Sequence, residues 1–343
     1  MNKRIFFLTL IVILALLLSG CTNPIDIFKT FIFGEPQQED KDLPDGEDNI
    51  IEDVEEDTNN VDIFEEDSYQ ITLYYKDSGD YIVPVVRNFK KEEGIAKAAL
   101  SALVDSTENR NELKVLGLQP VLPANTQIEL AIKEDGLIRA SFSDDILKME
   151  SKQQEESMVS ALVYTLTEFE TIDKVQILVN NEIRDSLTYG TEVGEPISRG
   201  NINALNNTIE GEHARLTLYM YNNPTGQYTY FVPVTKNVPS NSRNIETALK
   251  ELVASKGEFQ NLHFNIPEGT TVFGVNMEDG IAYVNFSEHL TEMTDVGEIS
   301  NLTKAIALTL KEFEGVQGVK LAIDGENALE SEVISVPTFA NSY

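Results

Sequence analysis

Several short groups of residues in this chain have the chemical types that catalytic sites use. Ser287, Glu288 and His289 place a hydroxyl, a carboxylate and an imidazole in succession. Glu168 and Glu170 place two carboxylates close together. A serine and a histidine can act as nucleophile and base. Two carboxyl groups about 5–10 Å apart across a substrate can hydrolyse a glycosidic bond. The rest of the sequence decides whether either constellation is expected to form.

An internal repeat provides a control on both constellations. The hexapeptide TLTEFE at 165–170 recurs as TLKEFE at 309–314. The segment that corresponds to 287–289 in the first copy is 143–145, which reads SDD and has no histidine. Adjacent Ser and His side chains are also not expected to pair. The two glutamates of each hexapeptide are two positions apart, so their side chains diverge by about 200° around a helix. We therefore predict no catalytic residue.

The hexapeptide is interpreted as a packing motif. Leu166 and Phe169 are three positions apart, as are Leu310 and Phe313, so each pair shares one helical face that is expected in a core. The neighbouring glutamates are expected to form a solvated, charged rim. On this interpretation the letters repeat because the packing repeats.

No cofactor or metal site is expected. The chain has three scattered histidines and one cysteine, which do not give the usual spacing of zinc ligands. No glycine-rich phosphate loop is present. The acidic stretch DLPDGEDN at 42–49 lacks the spacing of a calcium loop. The formal net charge of −31 argues against nucleic acid, which requires basic surfaces.

The N-terminus has the pattern of a secretory signal. Lys3 and Arg4 precede an uncharged run at 5–18, shorter than the roughly 20 residues of a membrane-spanning helix. The following LSGC at 18–21 resembles the bacterial lipobox, in which the cysteine is acylated and becomes the new amino terminus. Cys21 is the single cysteine of the chain, so it cannot form an intramolecular disulfide. The alternatives are a plain signal peptide with an incidental cysteine and an uncleaved anchor.

An acidic segment follows. Residues 35–67 contain 16 acidic residues and one basic residue, so they contribute −15 to the net charge. Such a composition cannot bury enough apolar surface to offset the entropy of ordering, and we expect a solvated tether. The apolar residues within 22–34 could rest on the membrane surface or pack on a partner or on nothing, and these alternatives stay open.

The repeat extends over most of the remaining chain. DGLIRASFSDDI at 135–146 corresponds to DGIAYVNFSEHL at 279–290. DKVQILVNNE at 173–182 corresponds to QGVKLAIDGE at 317–326 with the same offset of 144. Hydrophobic periodicity in each copy predicts two strands, a helix, a hairpin, a second helix and a last strand. Each unit is therefore predicted as ββαββαβ.

Turn and breaker residues refine this order. Pro84 and Pro233 occupy the matched place in the second strand of each unit. Because proline lacks an N–H for the ladder, this strand is expected at a sheet edge or with a bulge. The Asp-Gly pairs at 135–136 and 279–280 predict tight hairpin turns.

The predicted fold class is α+β, with two tandem units that each pack two helices on one face of a mixed sheet. The predicted organisation is as follows: a lipoprotein signal peptide at 1–20, acylated Cys21 and the tether at 21–68, a first domain at 69–190, a linker at 191–212, a second domain at 213–335 and a C-terminal tail at 336–343.

The motifs together resemble a known family. The lipobox, the acidic tether and two copies of VP…AL..L…IP.GT…DG.A.V.FS…L..F..V..V.I..DG are similar to GerM-type sporulation and germination lipoproteins with tandem GerMN domains. The first copy departs from the pattern, with PANT at 123–126 and Asn-Asn at 180–181 in place of Asp-Gly. Both are turn substitutions that asparagine tolerates.

The resemblance implies a fold, a location and partners. GerMN domains resemble ring-building motifs, whose order αββαβ matches the last five elements of each unit. The family is associated with spore formation, germination and the assembly of envelope complexes. By resemblance, the protein is expected on the outer face of the membrane through its lipid, and in the space between the two membranes of the engulfed forespore. Its partners would be extracytoplasmic envelope or sporulation-complex proteins. The resemblance carries over no catalytic residue.

The sequence is compatible with three functions. The leading hypothesis is a non-enzymatic assembly factor that docks partners through polar sheet faces and through free edges at the Pro84 and Pro233 strands. The second is a peptidoglycan-binding module, for which the strand tyrosines give a weak signal because the chain has no tryptophan. Those tyrosines are Tyr69, Tyr74, Tyr75, Tyr219 and Tyr221. The third is a peptidoglycan hydrolase, which would lose activity when one carboxylate is mutated.

The lipobox interpretation gives a direct prediction. Acyl chains contribute about 0.8 kcal/mol for each buried CH₂, so a multiply acylated Cys21 anchors firmly. Cys21→Ser should move the protein from the membrane pellet to the soluble fraction on cell fractionation. If the serine variant stays in the membrane, the lipobox interpretation is wrong.

Overall fold

A computed structural model describes residues 68–90, 94–133, 135–204, 211–327 and 333–343. The predicted signal peptide, Cys21, the apolar stretch at 22–34 and nearly all of the acidic tether lie outside these residues. None of the helices in the described ranges has the length and apolar character needed to cross a membrane.

The first domain follows the predicted order, with one additional short helix. Its elements are β1 (Ser68–Lys76), β2 (Ile82–Lys90), α1 (Ile95–Ser101), α2 (Thr107–Leu113), β3 (Ile128–Ile132), β4 (Leu137–Phe142), α3 (Lys152–Leu166) and β5 (Lys174–Val179). The extra helix α2 has no counterpart in the second copy. Ser106 begins it by accepting a hydrogen bond from the backbone N–H of Asn109.

The second domain repeats the same order. Its elements are β6 (His213–Asn222), β7 (Tyr230–Pro239), α4 (Ile245–Ala254), β8 (Val272–Glu278), β9 (Ile281–Phe286), α5 (Val296–Lys311), β10 (Gly318–Ile323), β11 (Glu326–Asn327) and β12 (Ile334–Ser335). Side chains cap the main helices of both domains, through Ser151, Asn244 and Asp295. The predicted α+β class and tandem arrangement are confirmed.

The strands of each domain are divided between two sheets, which refines the expectation of one mixed sheet. In the first domain β1 and β2 form an antiparallel hairpin, whereas β3, β4 and β5 form a separate sheet. In that sheet β3 and β4 are antiparallel and β4 and β5 are parallel. The second domain repeats both sheets with β6–β7 and β8–β9–β10. The parallel pair follows from the helix between its strands, since a crossover returns the chain in the same direction.

The predicted turns have the expected backbone conformation. Asp135 and Asp279 have φ of 61° and 48°, and the glycine after each also has positive φ. Asn180 and Asn181 have φ of 52° and 66°, where the second copy has Asp324 followed by glycine. Asparagine visits this left-handed region at low cost, so the departures of the first copy leave the turn intact.

The long helix of each domain lies against the free edge of the hairpin's first strand. Tyr74 and Tyr219 occupy matched positions on β1 and β6, each opposite the proline of its partner strand. The backbone N–H of Tyr74 donates to the hydroxyl oxygen of Thr165 at 3.1 Å. The N–H of Tyr219 donates to that of Thr309 at 2.9 Å. Both threonines are fully buried and begin the repeated hexapeptide. The hexapeptide therefore also closes a sheet edge.

The two domains share one core. Buried apolar side chains from both domains form a single connected cluster, which includes Leu73 and Leu162 of the first and Leu218 and Ile306 of the second. At about 25 cal/mol per Å² of apolar surface removed from water, this burial is the main stabilising contribution. Strands β2 and β7, which carry the matched prolines, lie against each other.

The edge-closing threonines can be tested by removing the hydroxyl alone. Thr165→Val and Thr309→Val keep the volume but leave a buried backbone N–H without its acceptor. Each should lower the free energy of unfolding by about 1–3 kcal/mol in urea denaturation. Thr107→Val, at an exposed helix position, is the control and should change stability by less than about 0.5 kcal/mol. Wild-type stability in both core variants would show that the hydroxyls are dispensable.

Candidate functional site: the cleft between the domains

The candidate functional site lies where β2 and β7, the two strands that carry the matched prolines, meet. The register of β1 with β2 is continuous through Pro84, and that of β6 with β7 is continuous through Pro233, so neither proline sits in a bulge. The edge alternative of the sequence prediction is therefore confirmed. Each proline is flanked, two positions before and two positions after, by a residue whose backbone N–H points away from its own hairpin. These N–H groups donate hydrogen bonds to residues that follow the domains.

Asn203, in the segment after the first domain, spans both strands. Its Oδ1 accepts from the N–H of Ile82 at 2.7 Å. Its Nδ2 donates to the carbonyl oxygens of Ile82 and Pro233, each at 2.8 Å. The preceding Ile202 exchanges two hydrogen bonds with Thr235, at 2.8 and 2.9 Å. Residues 202 and 203, which the sequence analysis assigns to a linker, thus bridge the domains.

Asn341, in the C-terminal tail, makes the equivalent contacts on the other side. Its Oδ1 accepts from the N–H of Phe231 at 2.7 Å. Its Nδ2 donates to the carbonyls of Phe231 at 2.8 Å and Pro84 at 2.6 Å. Its own carbonyl accepts from the N–H of Val86 at 2.9 Å. Ile82 and Phe231 are matched positions of the repeat, so the two asparagines relate the domains by an approximate two-fold symmetry.

This arrangement corrects one sequence expectation. The strands with Pro84 and Pro233 were expected to offer free edges to partner proteins, but both edges face each other and are occupied by the asparagines. The reason is the tandem duplication itself, because two identical exposed edges in one chain can close each other. Proline suits this place because a residue with an N–H would bring an additional buried donor to the interface.

A third contact joins the hairpins at their ends. The buried Asp77 accepts from the N–H groups of Gly79 and Tyr81 at 2.8 and 3.0 Å. Its other oxygen accepts from the hydroxyl of Tyr230, in the second domain, at 3.2 Å. Burial raises the pKa of the Asp77 carboxyl, although these hydrogen bonds act in the opposite direction. Asn222 occupies the matched place in the second hairpin and donates to the same Tyr230 hydroxyl.

A cavity of about 440 Å³ lies in the cleft beside these contacts. Residues of both domains and of the segment between them line it. They are Tyr74, Tyr164, Arg199, Gly200, Ile202, Arg215, Thr217, Tyr219, Pro233, Thr235, Arg243 and Glu312. Alternate residues of β6 face the cavity, as the period of a strand requires.

Two hydrogen-bonded tyrosine–glutamate pairs lie in the cleft. The hydroxyl of Tyr74 donates to Glu168 at 3.0 Å, and that of Tyr219 donates to Glu312 at 3.4 Å. Desolvation raises the pKa of both phenols, and the adjacent glutamates act in the same direction. Desolvation also raises the pKa of Glu312. Glu168 departs from the expectation of a solvated rim, because it is half-buried and paired with Tyr74 and Arg199, whereas Glu312 is exposed as expected.

Three arginines surround the same cavity, and sequence reasoning did not identify them. Arg199 forms an ion pair with Glu168, and its guanidinium lies 5.0 Å from the centroid of the Tyr164 ring. Arg215 donates to the carbonyl of Arg199 at 3.4 Å. Arg243 donates to the carbonyl of Arg215 at 3.2 Å and to that of Glu312 at 3.4 Å. These three cations lie together in a chain whose formal net charge is −31.

The other candidate constellation does form a contact, contrary to expectation. The Ser287 hydroxyl lies 3.3 Å from Nδ1 of His289, because the short turn that follows β9 brings positions two apart together. The matched Ser143 contacts Asp145 at 2.7 Å in the same turn. In each copy the serine oxygen also accepts a backbone N–H from the preceding strand region, at 3.0 Å. The serine therefore has a structural role that does not require histidine.

In the described part of the chain, no group of three or more His, Cys, Asp or Glu side chains is placed to hold a metal ion. The predicted lipidation residue Cys21 lies outside those ranges, so its modification stays a prediction.

Comparison with known proteins identifies relatives of the whole tandem unit. The family model described as "Germane: Sporulation and spore germination" matches residues 72–185 and 217–329. The chain is 29% identical over 270 residues to the spore germination protein GerM of Bacillus subtilis (strain 168), across 76% of this chain and 73% of that protein. The solved tandem GerMN domains of the sporulation protein GerM from Bacillus subtilis match with a TM-score of 0.66 at 27% identity. That match covers 80% of this chain and 99% of the solved chain.

The asparagine bridges give a prediction for the cleft. Asn341→Ala should lower the free energy of unfolding by roughly 1–3 kcal/mol, because it leaves buried backbone groups of both domains unpaired. Asn203→Ala should have a smaller effect, because Asn203 is only half-buried and water can replace part of its contacts. Urea denaturation measures both.

The exposed Asn201, two positions before Asn203, is the matched control, and Asn201→Ala should leave stability unchanged. Asn341→Asp keeps the acceptor but loses the donor, so it should be destabilised nearly as much as the alanine variant. If Asn341→Ala unfolds at the wild-type urea concentration, the asparagines do not hold the domains together.

Proposed function

The chain belongs to the Germane family of sporulation and spore germination proteins, with tandem GerMN domains, and on that premise we propose that it is a non-catalytic scaffold anchored by lipid to the outer face of the membrane. Cys21 would carry the lipid, and residues 22–67 would link it to the tandem unit. The partners would be extracytoplasmic proteins of an envelope complex assembled during sporulation.

The observation that carries the proposal is the joining of the two domains. A scaffold must hold its binding surfaces at a fixed spacing, and the shared core and the two asparagine bridges suit that task. A hinge between the domains would have the opposite character, with few buried contacts and water-exposed backbone hydrogen bonds. The segment between the domains and the C-terminal tail instead donate and accept buried hydrogen bonds.

The paired roles of the chemically suggestive residues support a non-catalytic function. Glu168 is paired with Tyr74 and Arg199, and Ser287 accepts a backbone hydrogen bond. The matched Ser143 does the same with an aspartate neighbour in place of histidine. These contacts give each of the residues a structural role, which supports the proposal.

The scaffold proposal is tested by crosslinking in intact sporulating cells. The wild-type chain should recover extracytoplasmic envelope proteins as specific crosslinked products. Cys21→Ser should lose them, because the unit is then no longer held at the membrane. Recovery of no envelope protein with the wild-type chain, at normal abundance, would contradict the proposal.

A peptidoglycan-binding module is the second candidate function. The cleft favours it because tyrosine rings next to arginines offer stacking surfaces and donors to sugars and their acidic groups. Pull-down of the full chain on purified peptidoglycan distinguishes the two functions. Retention that is lost on substitution of Tyr164 would favour the wall-binding function.

A further inference from the structure

The inference concerns Arg215 and Arg243, which face the cavity between the domains. A guanidinium has five N–H donors in a fixed planar arrangement. Arg215 makes one hydrogen bond, to a carbonyl at 3.4 Å, and Arg243 makes two, at 3.2 and 3.4 Å. Within the described ranges, neither has a carboxylate within ion-pairing distance, as is also true of Arg139 and Arg184, whereas Arg87, Arg110 and Arg199 each have one. Most donors of these two cations are therefore available to a ligand.

The tandem duplication shows that the domain fold does not require Arg215. Arg215 lies opposite Asn237 in the second hairpin. The matched pair in the first hairpin is Gln70 opposite Asn88. The same strand register thus forms with a neutral side chain at this place. Of the two copies, the second alone has an arginine at this position, on the face that lines the cavity.

The negative charges beside the cavity are partly compensated. Glu168 is paired with Arg199. Glu312 accepts from the Tyr219 hydroxyl, and desolvation raises its pKa. The three arginines that line the cavity stand against Glu168 and Glu312, which leaves a local charge of +1 within a chain of net charge −31. The net negative charge of the chain repels anions over most of its surface. An anion is therefore expected to bind where cations are locally in excess.

We propose that this cleft is a binding site for a small oxyanion, a carboxylate or a phosphate, held by the guanidinium groups of Arg215 and Arg243. Guanidinium binds both groups through two parallel hydrogen bonds. The volume of about 440 Å³ exceeds that of a bare ion and is at the lower end of ordinary ligand pockets, so the oxyanion would be part of a larger molecule. The proposal does not depend on the scaffold function.

The test measures the side-chain Nε–H signals of the arginines by NMR in the full chain. Inorganic phosphate and N-acetyl-D-alanyl-D-alanine, which ends in a carboxylate, are titrated separately at constant ionic strength. We expect saturable shifts of Arg215 and Arg243 with at least one probe, and the stronger probe identifies the preferred group. Arg139, outside the cavity lining, is the internal reference and should not shift.

Two variants separate ligand binding from a structural role. Arg215→Gln restores the residue of the first copy and should weaken binding by about tenfold or more without unfolding the domain. Glu312→Gln removes the one lining carboxylate and should strengthen binding, an effect that a purely structural cluster would not produce.

The proposal is overturned by any of three results. The first is the absence of saturable shifts with both probes. The second is equal shifts of Arg139 and the cleft arginines, which would show ionic screening only. The third is unchanged binding in a folded Arg215→Gln protein. None of these results bears on the crosslinking test of the scaffold, so the two proposals fail separately.

Discussion

The closure of two strand edges against each other is the constraint on which the rest of the structure depends. Each hairpin has one edge covered by its own long helix, through the threonine that begins the hexapeptide. The other edge carries a proline and would expose backbone groups to solvent or to other chains. The tandem arrangement brings these two edges together, and Asn203 and Asn341 pair the groups that remain. The meeting of these edges forms the cleft and brings its tyrosines and arginines together.

The same constraint explains the position of Asn203 and Asn341, which lie beyond the strands and helices of the two domains. Asn203 follows the first domain and Asn341 follows the second, and each binds one strand of its own domain and one of the other. A single domain would leave these asparagines without half of their partners. The tandem unit is therefore the structural unit of this chain, and the match to the solved tandem domains covers 80% of it.

Much of the fold could be predicted from the sequence because its signals are local. Periodicity located the helices and strands, and Asp-Gly located the hairpin turns. Pro84 and Pro233 indicated sheet edges, because the absence of an N–H is a property of the residue alone. What covers those edges could not be predicted, since Asn203 lies 119 residues from Pro84 and 30 from Pro233, and Asn341 lies 257 and 108 residues from the same prolines. The division of each domain into two sheets was missed for the same reason.

The candidate site was the least predictable part. Arg199, Arg215 and Arg243 are widely spaced in sequence and share no motif, and only the packing of two domains brings them together. One signal was available, because Gln70 in the first copy corresponds to Arg215 in the second. Such a difference between copies indicates that the fold does not depend on the side chain at that position. Glu168 was misjudged because helical geometry alone cannot tell which residues just beyond a helix end contact the segment that follows the domain.

The most direct test is the distance between the domains in solution. Spin labels at the exposed positions Glu170 and Glu268, introduced as cysteines in a Cys21→Ser background, report that distance by double electron–electron resonance. Closure of the two edges predicts one narrow distance distribution. A broad or multiple distribution in the folded protein would contradict it, because the two domains would then move independently.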